Sequence, residues 1–134
     1  MLRYMLDTNT CIRAMRADAT SHLAGRFNRH AEQLCISNIV LAELHHGAEN
    51  SRRVADNLAE IEQFVARLQT VLDFDTAAAA EFGRVRVALR PHPIGPLDSL
   101  IAAHARSRDL VVVTDNVAEF ERVPGLQIES RKGV

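Results

Sequence analysis

Arg3-Tyr4-Met5-Leu6-Asp7-Thr8-Asn9 opens the chain with a short apolar run that ends in an acid. Arg3 to Leu6 reads as a strand, and Thr10 to Arg16 behind it as a short helix. The same order returns at Leu110-Val111-Val112-Val113-Thr114-Asp115-Asn116. That β-branched run is the best candidate for a sheet centre, and Val117 to Phe120 after it reads as a helical turn. Two more acids interrupt apolar runs. Glu43 lies between Ile39-Val40-Leu41-Ala42 and Leu44, and Asp98 leads into Leu100-Ile101-Ala102-Ala103. An isolated carboxylate in such surroundings is costly unless paired, hydrogen-bonded or bound to a cation.

Strand-like and helical segments alternate through the rest of the chain. Asp18-Ala19-Thr20 is a turn into a second helix through Arg29, and Leu34 to Ser37 is a second strand. Asn38 is placed to cap the helix carrying Glu43, which should stop near Gly47. Ser51 is placed to cap a longer helix, with Val54, Leu58, Ile61, Val65 and Leu68 as its buried stripe. Val71 to Phe74 is a brief third strand, and Asp75 caps a helix through Ala77 to Ala80 that ends before Pro91. Arg90 to Pro96 holds three prolines and a glycine and reads as a loop. Pro96 suits the entry of a helix opening at Asp98 and running to about Arg106. Leu126 to Ile128 is a last short strand.

Such alternation predicts an α/β fold with a parallel sheet covered on both faces. In these sheets ligands bind beyond the carboxyl ends of the strands. Asp7 and Asp115 fall just after strands, at that end. Glu43 and Asp98 fall in the first or second turn of helices entered from the same end. All four acids are therefore expected to converge.

The 134 residues predict a single domain, 1–134, able to bury a core without a staple. The formal net charge of −1 gives no sign of nucleic-acid binding by itself. Lys132 is the only lysine. Arginine forks match phosphate oxygens in a way lysine does not, although a GC-rich coding bias gives the same preference. Cys11 and Cys35 lack metal-ligand spacing and read as buried free thiols of a reducing compartment. No apolar stretch is long enough to span a membrane, and Asp7 ends the first one too early for a signal peptide. A cytoplasmic protein is expected.

Converging carboxylates raise one another's pKa, and a hard divalent cation removes that conflict. Mg²⁺ or Mn²⁺ takes oxygen ligands, keeps several waters and is held by one or two carboxylates. Metal-assisted phosphodiester hydrolysis is the natural reaction class. Thr8, Asn9 and Ser37 either support Asp7 or contact a phosphate, or are ordinary cap and turn residues. Asp115 with Asn116 also fits an ordinary turn. His45 and His46 are adjacent, without a partner four residues away, so a zinc helix is not indicated. These and His22, His30, His92 and His104 read as surface histidines. Phosphate-cradling loops and a nucleophile elbow are absent from the sequence.

Met5-Leu6-Asp7-Thr8-Asn9 resembles the opening of PIN-domain ribonucleases, and more specifically of the VapC toxins of VapBC toxin–antitoxin systems. The resemblance runs through Arg26-Phe27-Asn28, Cys35-Ile36-Ser37, Leu41-Ala42-Glu43-Leu44 and His46-Gly47-Ala48-Glu49. It continues in Gly95-Pro96-Leu97-Asp98, Ile101 to Ser107, Val113-Thr114-Asp115-Asn116 and Glu119-Phe120-Glu121-Arg122-Val123. Each motif is short; their order and spacing together are specific. The resemblance implies a three-layer α/β/α sandwich with a mostly parallel sheet and a Mg²⁺- or Mn²⁺-dependent endoribonuclease. It implies Asp7 and Asp98 as metal acids and Glu43 as the third of an acidic triad. A fourth polar position is shared between Asp115 and Asn116. It further implies a homodimer, a VapB antitoxin covering the site, operator DNA bound through that complex, and a structured RNA target such as initiator tRNA. Arg13, Arg16, Arg84, Arg86 and Arg90 are candidate RNA contacts, or simply solvated helix faces. The apolar surface for the dimer is expected on the second helix and on Ser51 to Leu68.

Three rivals remain at this stage. A receiver domain normally needs a lysine after its last strand, and Lys132 lies in the tail. A haloacid-dehalogenase-type phosphatase needs a second Asp where this chain has Asn9. A PIN-like module without catalysis would bind but not cut, and intact Asp7, Glu43 and Asp98 argue against it.

Overall fold

The computed structural model describes residues 1–130, so Lys132 lies outside the described residues. Five strands form one sheet: β1 (Tyr4–Leu6), β2 (Leu34–Ser37), β3 (Thr70–Leu72), β4 (Val111–Thr114) and β5 (Ile128–Ser130). Their order is β3-β2-β1-β4-β5, and every pairing is parallel. The helices are α1 (Thr8–Arg16), α2 (His22–His30), α3 (Asn38–Glu49), α4 (Val54–Arg67), α5 (Thr76–Ala88), α6 (Pro96–Ser107) and α7 (Val117–Phe120). They flank the sheet in the expected α/β/α sandwich.

β1, β2 and β4 are buried at every residue, as strands covered on both faces must be. The sheet centre is β1, not β4 as expected. Composition does not separate the two, because both are interior. The chain leaves β1 toward β2 on one side and later returns to its other side through β4. That reversal opens a crevice at the carboxyl edge between β1 and β4, where α/β folds place ligands. Register pairs Leu6 with Val113, so Asp7 and Thr114 emerge there together.

α6 packs the long apolar run. Ser99, Ile101, Ala102, Ala103, His104 and Ala105 are all buried, and the small alanines let the helix approach its neighbours closely. Pro96 stands at its first turn, as expected. Asp75 caps α5 through its carboxylate and the Ala78 amide, 2.9 Å apart. Cys11 and Cys35 are buried free thiols, and burial pushes Cys35 up to about 12.

Several local expectations need correction. Ser37, not Asn38, caps α3, accepting from the Ile39 amide at 3.1 Å. Asn38 is the first helical residue and bridges to the β3–α5 loop instead. Its side-chain oxygen accepts from the Phe74 amide and its NH₂ donates to Asp73. α3 runs to Glu49 rather than Gly47. Ser51 does not cap α4: the cap position is Arg53, without a side-chain bond, and the Ser51 hydroxyl donates to the Ala48 carbonyl. α1 starts at Thr8, because Asp7 itself is its cap. β5 forms two residues later than expected. Ile61 and Phe64 are the buried residues of α4, with Leu58 and Val65 packed against the core from its margin. Among the described residues the exposed large apolar side chains are Met1, Val87 and Leu97, which lie outside α2 and α4.

Candidate active site

Asp7 ends β1 and caps α1, so its backbone is fixed by sheet and helix together. The residue is 5% exposed. One carboxylate oxygen accepts from the Thr10 amide at 2.9 Å. The other accepts from the Thr114 hydroxyl at the end of β4. Thr114 in turn accepts from the Asn116 amide at 2.8 Å. A buried carboxylate is thus held by two directional bonds, from α1 and from the neighbouring strand.

Glu43 approaches from α3. The Thr8 hydroxyl donates to its Oε1 at 2.7 Å, so the residue after Asp7 orients the second acid. Asp98, in the first turn of α6, approaches from a third side. Burial first, then a hydrogen bond with the Glu119 carboxyl, then the charges of Glu119, Asp7 and Glu43 push its carboxyl up to about 7. Asp7 and Glu43 thus lie near enough to Asp98 for their charges to bear on it. Glu119, on α7, joins them and carried no role in the sequence reading. Its signal was weak, since an acid on a four-residue helix looks like a solvated one.

Asp115 sits apart. It is exposed and pairs with Arg13 Nε at 3.2 Å. Asn116 occupies the cap position of α7 without a side-chain bond to it. The residue after β4 that touches Asp7 is Thr114. Asp115 and Asn116 line an open cleft of about 930 Å³ with Asp7, Asn9, Arg13 and Arg16. A second cleft, of about 290 Å³, runs between α1, α3 and α4 and takes in Glu43, Met15 and Ile61.

Ser37 does not face the acids. Its oxygen caps α3 and lies 2.8 Å from His104 Nδ1. His104 is fully buried, which corrects the surface reading made for it. Desolvation lowers its pKa, so the ring is neutral. Its position inside Ile101-Ala102-Ala103-His104-Ala105 was the available signal. His45, His46, His22 and His92 are exposed as expected, and His30 is half-buried.

The donor set fits a hard cation. Every candidate ligand is a carboxylate oxygen, and burial, with the neighbouring acids adding to it, disfavours the charge on Asp98 that a cation would stabilise. Among the described residues no three acid, imidazole or thiol groups already close on one point as a bound metal requires. Two carboxylates completed by waters is the arrangement these residues suit.

A family model described as PIN domain matches residues 4–126. The chain is 50% identical over 131 residues to a tRNA(fMet)-specific endonuclease VapC of Salmonella typhimurium, covering 96% of this chain and 98% of that protein. It is 45% identical over 132 residues to a ribonuclease VapC2 of Haemophilus influenzae, covering 97% and 98%. Among solved structures, the DNA-bound VapBC of Salmonella typhimurium superposes with a TM-score of 0.91 at 50% identity, covering 98% of this chain and 99% of that one. VapBC2 of Rickettsia felis, bound to a fragment of its promoter, gives 0.86 at 32% identity, covering 96% and 98%.

Proposed function

Because the chain belongs to the PIN-domain family, as a VapC-type ribonuclease of a VapBC toxin–antitoxin pair, we propose that it cuts initiator tRNA by Mg²⁺- or Mn²⁺-assisted hydrolysis and so inhibits translation. The observation that carries this reading is that Asp7, held by Thr10 and Thr114, and Glu43, held by Thr8, lie at the carboxyl edge near the part-buried Asp98 and Glu119. The choice of tRNA is supported by a relative of 50% identity named for that substrate.

Asp7 and Asp98 would hold the cation, and Glu43 would complete the site directly or through water. When bound, such a cation would supply charge stabilisation at the phosphate and activation of a water. Thr10, Thr114 and Thr8 keep Asp7 and Glu43 aimed before substrate arrives, which is the preorganisation such chemistry needs. Arg13 and Arg16 line the larger cleft beside Asp7 and face the RNA phosphates there. The leaving group is the ribose 3′ oxygen.

The partner is a VapB antitoxin, as in the VapBC complexes this chain resembles, and operator DNA is bound through that complex. The cleft between α1, α3 and α4, which takes in Glu43, is where a segment of the partner would reach the site. The protein acts as a homodimer in the cytoplasm; among the described residues no helix is long and apolar enough to cross a membrane.

Asp7→Asn tests the reading. It should abolish cleavage of an initiator tRNA transcript while leaving circular dichroism and dimer mass unchanged. EDTA should stop the wild-type protein, and Mg²⁺ or Mn²⁺ should restore it. Cleavage by Asp7→Asn at the wild-type rate would overturn the assignment.

A further inference from the structure

His104 lies behind the acids rather than among them, and the mechanism so far leaves it unused. It is 0% exposed, on the face of α6 that meets β2 and the β3–α5 loop. Its Nδ1 lies 2.8 Å from Ser37 Oγ. The Phe74 ring meets the imidazole edge-on, with centroids 5.4 Å apart. The Asp73 backbone carbonyl faces the ring, while Nε2 has no partner in hydrogen-bond geometry. A buried imidazole in this position is expensive unless it organises something.

What it organises can be read from Ser37. That oxygen already accepts from the Ile39 amide as the cap of α3. Its own proton then needs an acceptor, and a neutral imidazole with the proton on Nε2 provides one at Nδ1. Ser37 thereby becomes a bridge, accepting from α3 and donating to α6. α3 carries Glu43 and α6 carries Asp98, so the bridge joins the two helices that bring those acids to Asp7.

We propose that His104 is a positioning residue: by holding the Ser37 hydroxyl it fixes the start of α3, and so the placement of Glu43 against Asp98. It touches neither substrate nor the acids and acts only through Ser37.

Two substitutions separate this role from packing. His104→Asn is smaller than the imidazole but sets an amide where Nδ1 stood, so the Ser37 proton keeps an acceptor. His104→Leu fills more of the volume and offers none. A packing role ranks Leu above Asn; the positioning role ranks Asn above Leu. We expect His104→Leu to lower kcat on an initiator tRNA transcript by roughly tenfold, with KM unchanged, since small misplacements of catalytic groups carry such costs. His104→Asn should recover most of that loss despite a lower melting temperature. Ser37→Ala should lose a similar factor, and adding it to His104→Leu should cost little more.

The activity measurements rest on the ribonuclease reading above. Amide exchange at Ile39, followed by NMR, does not. It should quicken in His104→Leu and remain slow in His104→Asn. A wild-type protein that cuts no RNA would sink the ribonuclease reading and leave the bridge to the Ile39 amide. An unchanged Ile39 amide in His104→Leu, or Leu outperforming Asn in kcat, would overturn the proposal.

Discussion

Each oxygen of Asp7 already has a partner, one a backbone amide and one a threonine hydroxyl. Thr114 therefore matters as much to the resting protein as to its chemistry. Thr114→Val removes the bond to Asp7 and strips the Asn116 amide of its acceptor. Leaving buried polar groups unpaired costs about 1–3 kcal/mol, and urea titration should show a loss of that size. Asp98 gives a second prediction. Its carboxyl is held up to about 7 in the fold against an ordinary 3.8. Between those values the folded chain keeps a proton that the unfolded chain has released. The stability from this group is fully present below 3.8 and is lost as pH rises through about 7. His104 runs oppositely: its lowered pKa gives stability present above 6.5 that is lost as pH falls. Unfolding midpoints of metal-free protein should fall as pH rises toward and through about 7, and Asp98→Asn should flatten that slope. A slope unchanged in the variant would remove Asp98 as its source. At this scale Asp7, Glu43 and Asp98 were legible because acids inside apolar runs are conspicuous. Glu119 and Thr114 were not, because their roles depend on neighbours far off in sequence.

Among the elements, periodicity located the strands and helices, while neighbouring segments decided their ends. Ser37 and Asn38 are both good capping residues, and local rules do not rank them. Asn38 is drawn away by Phe74 and Asp73, which leaves the cap to Ser37. Ser51 was misread for a related reason, because its hydroxyl closes the preceding helix rather than opening the next. Asp75 had no such competitor, and its cap was legible from sequence. Asp75→Ala should cost about 1 kcal/mol, read as a lower unfolding midpoint with cleavage intact, since α5 carries no acid of the site. β1 and β4 could not be ordered from composition, as both are largely apolar and buried throughout. The parallel sheet and its functional edge were nevertheless inferred from the alternation of elements alone.

For the whole molecule, the order β3-β2-β1-β4-β5 has a temporal side. β1 is made first but is flanked on one side by β4, and the Thr114 hydroxyl that fixes Asp7 comes 107 residues later. At ordinary rates of synthesis that gap is roughly 5 to 20 seconds. Until β4 is made, Asp7 lacks both its strand neighbour and the Thr114 hydroxyl, so the site should stay unassembled. Nascent chains stalled before Val111 should show no ribonuclease activity, whereas chains released after Ser130 should. Chain order thus makes assembly of the Asp7 site a late event in folding, because its strand partner is among the later segments to be made.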